Sequence, residues 1–236
     1  MFDAIFEKDL PKNLQPLTLN RGTINTSSIL FVSQNKVYKL YKRTLPFYVA
    51  SDLYDLKQQG LPYAVFPESF IIDQKYRVTG EVQPFIDGTM LTENAKFHQE
   101  KRDINERIPK MYQLISYTEE LGKKGYKHND LHSDNFLVDA ERIYAIDLDR
   151  IRKGQNIDEH QKHLNEILIS YLFGLTNSEA KSLLTTNNYR LQESLNFAPN
   201  FLNFLLNGIK TKEDVLDELY DREKEASQVH IAGKSF

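Results

Sequence analysis

The sequence predicts an α+β fold, with an antiparallel sheet in the first third of the chain and mostly helices after it. Apolar and polar residues alternate on both sides of a polar turn within residues 17–41, as half-buried strands require. From residue 109 onward the apolar residues recur at helical spacing instead. A polar loop at residues 128–135, flanked by apolar segments, indicates that this fold carries an active site.

Composition limits the class of protein. The chain has 236 residues, a net charge of -3 and no cysteine, and its pI is near 6.1. A nucleic-acid binder held mainly by phosphate contacts is therefore not expected, and neither is a disulfide framework. No segment is apolar enough for a membrane span or a typical secretory signal. We expect a cytoplasmic protein; export as an effector without a cleaved signal is the alternative.

The strands are predicted from short apolar segments bounded by turns. Leu17–Leu19 comes first, and a hairpin follows, formed by 29–32 and 37–41 around the turn Ser33–Asn35. Three further segments are candidates for the remaining strands of a predicted five-stranded antiparallel sheet: 64–66, 70–72 and 77–82.

The helices are predicted from apolar spacing and end signals. The first spans residues 47–59 and stops at Gly60, and a second begins at Pro109 and ends before Gly122. Later helices are predicted over 160–174, 178–185, 199–207 and 211–226.

The clearest chemical signal is the polar loop that begins at His128. It contains Asp130 and Asn135, and Asp147 follows an apolar strand a short distance later. Phosphoryl transfer needs a carboxylate to accept a hydrogen bond from the attacking hydroxyl, and hard oxygen ligands for Mg²⁺. Asp130 suits the first role, and Asn135 and Asp147 suit the second. An Asx-rich surface turn is the alternative interpretation.

The spacing His-x-Asp-Leu-x-x-x-Asn, followed by an Asp after a strand, resembles the protein kinase-like superfamily. The form with His132 is similar to the loop of aminoglycoside and choline phosphotransferases. The resemblance implies a two-lobed fold, with a nucleotide-binding lobe over residues 1–87 and a helical lobe over 88–236. It also implies ATP and Mg²⁺ as cofactors.

The resemblance further implies where the nucleotide binds. Lys39 would contact the α- and β-phosphates, with Lys36 and Lys42 as competing candidates. Because Pro84 has no N–H, adenine would bind to the main chain of Gln83 and Phe85. The remaining nucleotide contacts are expected at Val37 and Leu137 for adenine, and at Gly22, Thr23, Asn25 and Ser27 in the phosphate-covering loop.

The chain departs from the family pattern in two places. The phosphate-covering loop has one glycine where protein kinases have three. The helix at 47–59 lacks the Glu that pairs with the strand lysine, so Asp52 and Asp55 are the candidates for that pairing. An exposed helix Asp is the alternative for both.

The acceptor is expected to be a hydroxyl, with that of a protein Ser/Thr (or Tyr) slightly favoured over a small molecule. The short stretch between Gln83 and His128 lacks the acceptor-pocket insertion of aminoglycoside phosphotransferases, which favours a protein Ser, Thr or Tyr. His132 and the short segment after Asp147 favour a sugar, lipid or other small molecule instead. A nucleotide-binding pseudokinase that regulates a partner is the third possibility. Arg150, Arg152 and Lys153 either face an anionic acceptor or are solvated.

Overall fold

The α+β class is confirmed. The computed structural model describes residues 3–17, 27–97, 104–154 and 157–174, with positions 178 and 181, and these contain three sheets and four α-helices. One continuous hydrophobic core joins the helices to all three sheets.

The main sheet has six strands, one more than predicted. Its strand order is β1-β5-β6-β4-β3-β2, and β1 pairs with β5 in parallel, so the sheet is mixed and the prediction of five antiparallel strands is wrong. The extra strand forms because apolar residues near the N-terminus pack on a small buried cluster of Tyr38, Ile71 and Val82. The strands are β1 Ala4–Phe6, β2 Gln15–Pro16, β3 Ser28–Ser33, β4 Lys36–Leu45, β5 Ser69–Ile72 and β6 Val78–Pro84.

The predicted hairpin forms between β3 and β4. Its turn residues Gln34 and Asn35 both have positive φ, at 49° and 59°, which matches the right-handed twist of the strands. The predicted strand at 17–19 is displaced to β2, and residues 18 and 19 lie outside the described part of the chain. The predicted strand at 64–66 is wrong, since Ala64 makes only an isolated bridge to Ala145.

Gly80 allows β4 and β6 to approach closely. A Cβ atom at this position would lie 2.5 Å from the backbone oxygen of Lys39, which no side chain could tolerate without moving the strand. The pairing that results sets Lys39 directly opposite Glu81.

The four helices are α1 Phe47–Gln58, α2 Leu91–Phe97, α3 Ile104–Lys123 and α4 Ile157–Phe173. The first matches its prediction to within one residue, because Gly60 adopts a positive φ of 67° just after it. The helix predicted to begin at Pro109 begins at Ile104 instead. Among the described helices, none combines the length and hydropathy needed to cross a bilayer. The helices predicted beyond residue 185 lie outside the described residues.

Two small sheets hold the polar loop. Strand β8, Tyr126–His128, pairs with β11, Ile151–Lys153. Strand β9, Phe136–Val138, lies between β7, Thr89–Met90, and β10, Ile143–Ala145. The segment with Asp130 and Asn135 therefore runs from β8 to β9, and the segment with Asp147 runs from β10 back to β11.

Candidate active site

Asn135 is held rigidly at the end of the polar loop. Its side chain is buried, and its Nδ2 atom donates a hydrogen bond to the Asp130 backbone oxygen at 2.5 Å. Its backbone oxygen accepts the Ile146 N–H at 2.8 Å, which ties the loop to the residue before Asp147. Because the amide nitrogen is engaged by Asp130, the amide oxygen is the atom suited to ligate a cation.

Asp147 has an uncommon backbone conformation. Its φ and ψ of 64° and 40° lie in the left-handed region, which non-glycine residues rarely occupy outside turns and functional sites. The buried His128 contacts its backbone oxygen through Nε2 at 3.3 Å. The Asp147 side chain is 29% exposed, so it reaches solvent from a fixed backbone.

Lys39 lies at the centre of a buried cluster of acids, which we call the Lys39 cluster: Lys39, Glu81, Asp147 and Asp149. The Lys39 amine forms a direct ion pair with Asp147. It lies 3.5 Å from Asp149 and 3.6 Å from Glu81. The lysine is 3% exposed, so the predicted phosphate-binding residue is not a solvated strand lysine.

Burial and charge act together on the pKa values of this cluster. Burial favours the neutral amine of Lys39, but Glu81, Asp147 and Asp149 outweigh it and raise the pKa of the lysine above its usual value. Burial raises the pKa of Glu81 to about 7, against the opposing effect of Lys39. Burial also raises the pKa of Asp149. The lysine therefore stays charged, and Glu81 gains or loses its proton near neutrality.

The cluster carries more negative than positive charge. Three carboxylates share one amine, and Gln83 adds only a neutral donor, through Nε2 to Glu81 Oε1 at 2.9 Å. Excess buried negative charge is costly, and a divalent cation would neutralise it. In the described ranges no three His, Asp or Glu side chains converge as a metal site. Asn135 and Asp147 offer oxygen donors of the kind that Mg²⁺ takes when phosphates and water supply the remaining ligands.

Asp130 faces solvent. Its side chain is 49% exposed, and His132 Nε2 lies 3.5 Å from its carboxylate. The backbone of the loop is fixed by Asn135, so the carboxylate is accessible without being loosely placed. This combination suits a group that must meet an incoming hydroxyl.

Neither helix acid pairs with Lys39. Asp52 and Asp55 both face Lys153 on β11 instead, at 3.2 and 3.5 Å. The acid nearest Lys39 within the main sheet is Glu81, because it stands opposite the lysine in the strand register. The expected pairing through Asp52 or Asp55 is thus replaced by one across the sheet.

The predicted adenine contacts are only partly compatible with the backbone. The Phe85 N–H donates to the Asn35 oxygen at 3.0 Å, so this amide is already engaged within the protein. Gln83 is paired with Val37 in the main sheet, whereas Leu137 lies on β9. Ser27 borders β3 and is half-buried. The other expected phosphate-loop residues, Gly22, Thr23 and Asn25, lie outside the described residues.

Glu81 and Asp149 were not assigned roles from the sequence. Both positions could have been recognised from features of the sequence. Glu81 is a lone acid in an apolar strand, and Asp149 follows Asp147 by two residues. Buried acids need a charged or hydrogen-bonding partner, which could have marked both positions.

The chain was also compared with known proteins. No family model matches it, and no curated protein gives a significant match.

Proposed function

We propose that this protein is an ATP- and Mg²⁺-dependent phosphotransferase with a hydroxyl acceptor and a two-lobed, kinase-like fold whose lobes meet near residue 87. One observation carries the proposal. A buried lysine on a sheet strand contacts an acid that follows the polar loop, and that loop bears an accessible carboxylate and a buried amide. These are the residue types that position a triphosphate and a hydroxyl for transfer.

Each side chain has a distinct role in this mechanism. The Lys39 amine binds the α- and β-phosphates, and Glu81 and Asp149 keep that amine charged and in place. Asp130 accepts the hydrogen bond of the acceptor hydroxyl and takes its proton as the oxygen bonds to the γ-phosphorus and the bond to ADP breaks. Asn135 and Asp147 would hold Mg²⁺, which supplies charge neutralisation at the phosphates.

The shape of the segment after Asp147 supports a small acceptor over a peptide. A single 3₁₀ turn, Leu148–Arg150, leads directly into β11, which pairs with β8. Peptide substrates of protein kinases dock on a longer activation segment. The sequence favoured a protein hydroxyl, whereas this compact segment favours its alternative, a sugar, lipid headgroup or other small molecule.

The test is transfer from γ-labelled ATP in an extract of the source cells, with products separated by size. Wild type should label an acceptor, and Asp130→Ala should lower the rate by about a hundredfold or more, because the proton acceptor is gone. Glu141→Ala, which removes an exposed acid in the β9–β10 turn, is the matched control and should keep the rate. Equal rates in all three proteins would refute the assigned role of Asp130.

One observation favours a second candidate, a pseudokinase that binds nucleotide without transfer. The phosphate-binding amine and the metal-binding carboxylate are paired directly with each other, so both would have to separate before Mg²⁺ and ATP could bind. Binding of ATP with no transfer to any extract component would favour this candidate over the enzyme.

A further inference from the structure

A cationic pocket lies beside the Lys39 cluster. It has a volume of about 500 Å³ and is formed by the end of β4 and the segment after Asp147. Four of its lining residues carry positive charge, and we call this site the basic pocket: Lys42, Arg43, Arg150 and Arg152.

Most of this positive charge is not neutralised by the residues that the structure describes. Among the described residues, no carboxylate lies within ion-pair distance of Lys42, Arg43 or Arg150. Arg152 is fixed by its own hydrogen bonds to the backbone oxygens of Asp149 and Ile151, at 2.7 and 2.6 Å. The one acid among the described residues of the pocket wall, Asp149, is shared with Lys39. The pocket therefore attracts anions.

A second hollow of similar size lacks this excess of positive charge. It has nearly the same volume, about 510 Å³, and also contains two lysines, Lys8 and Lys75. Glu7 and Asp73 line it as well, so its formal charges cancel. Basic residues in a hollow are thus not enough to favour anions; the basic pocket differs in having four basic residues and, among its described lining residues, one acid.

The basic pocket adjoins the proposed reaction centre on two sides. Its wall residue Tyr41 has its ring centroid 5.4 Å from the Lys39 amine, and Asp149 lies 3.5 Å from the same amine. The Asn129 N–H donates to the Arg150 backbone oxygen at 3.1 Å, which joins the pocket to the residue before Asp130. An anion held here would lie close to both the phosphate-binding lysine and the proton acceptor.

We infer that the basic pocket binds an anionic group of the acceptor, so that the acceptor is a small molecule bearing a phosphate or carboxylate near its reactive hydroxyl. This inference rests on the proposed function and narrows its substrate class. Arginine forks suit both oxyanions, because they donate paired hydrogen bonds to planar or tetrahedral oxygen sets. Holding the anion would orient the hydroxyl toward Asp130.

The test is calorimetric titration of the full chain with inorganic phosphate, in the presence of Mg²⁺ and a saturating nonhydrolysable ATP analogue. The analogue occupies the triphosphate site, so phosphate that still binds must bind elsewhere. Arg43→Gln/Arg150→Gln should weaken phosphate binding by about tenfold. Lys8→Gln/Lys75→Gln removes the same formal charge from the neutral hollow and should leave the affinity within about twofold.

A parallel titration with acetate separates a carboxylated acceptor from a phosphorylated one. Binding of either ion that depends on Arg43 and Arg150 supports the inference. Failure of both ions to bind, or equal weakening in the two double variants, overturns it. The titration with the ATP analogue is read separately: if the analogue does not bind, the proposed function fails, and the ion titrations without it still decide whether the basic pocket takes anions.

Discussion

Two groups in this protein each place one lysine near several acids, but one lysine is buried and the other is exposed. The Lys39 cluster is buried, with a lysine that is 3% exposed. The second group, which we call the Lys153 group, consists of Lys153 with Asp52 and Asp55, and its lysine side chain is 61% exposed. Both groups place one amine within 4 Å of more than one carboxylate.

The difference shows that burial, more than residue type, distinguishes a structural ion pair from a candidate reaction centre. Water screens the exposed group, so its charges interact weakly and can exchange partners. In the buried group the charges interact strongly and shift one another's protonation. Of the two groups, only the Lys39 cluster buries its amine, and retaining charge in such a setting is costly.

The largest difference between the two groups is expected when each lysine is removed. Lys39→Met leaves three carboxylates without their cation, so the free energy of unfolding should fall by about 3–5 kcal/mol. Chemical denaturation with urea measures it. An unchanged midpoint for Lys39→Met would show that the buried acids are neutral in the folded protein, and that the cluster is not held together by charge.

The second test uses pH. The pKa of Glu81 is about 7 in the folded protein and 4.5 in its reference state, so between these values the folded protein retains a proton that the unfolded chain has lost. Raising the pH through this window should therefore lower the free energy of unfolding, by up to about 3 kcal/mol from this group.

Glu81→Gln should remove most of that pH dependence while keeping the acceptor for the Gln83 amide. Glu68→Gln, at an exposed acid paired with Lys36, is the control and should follow the wild-type profile. Parallel slopes for all three proteins between pH 5 and 7, measured by urea denaturation, would contradict the assignment to Glu81.

The smallest effect is expected at the exposed group. Lys153→Met should leave the thermal unfolding midpoint close to that of wild type, since the lysine side chain is 61% exposed and solvent screens its attraction to the two acids. It should also leave phosphoryl transfer unchanged, because the lysine contacts none of the proposed catalytic residues. A loss of stability comparable with that of Lys39→Met would remove the contrast on which the comparison depends.

Local patterns allowed much of the fold to be predicted. The β3–β4 hairpin, the end of α1 at Gly60 and the helical stripe of α4 each depend on residues close together in sequence. The parallel strand β1 could not be predicted in the same way. Its partner β5 is far along the chain, and long-range pairing leaves no periodic signal in three residues.

The candidate site, like the fold, could be predicted only where it depends on residues close together in sequence. The loop residues Asp130, Asn135 and Asp147 could be proposed together because their spacing alone indicates a shared chemistry. The partner of Lys39 in the main sheet could not be found from sequence, because it depends on the register between β4 and β6. The family resemblance implies a partner on the neighbouring helix, whose acids face Lys153 instead.

Gly80 gives this register a consequence for how the site could change. A side chain at position 80 would force apart the two strands that carry Lys39 and Glu81, because its Cβ atom would meet the Lys39 backbone oxygen. Glycine lets the two strands pair closely, and any larger residue would change the distance between the Lys39 amine and Glu81. A substitution at position 80 would therefore change the geometry of the Lys39 cluster through the backbone, without replacing any of its four side chains.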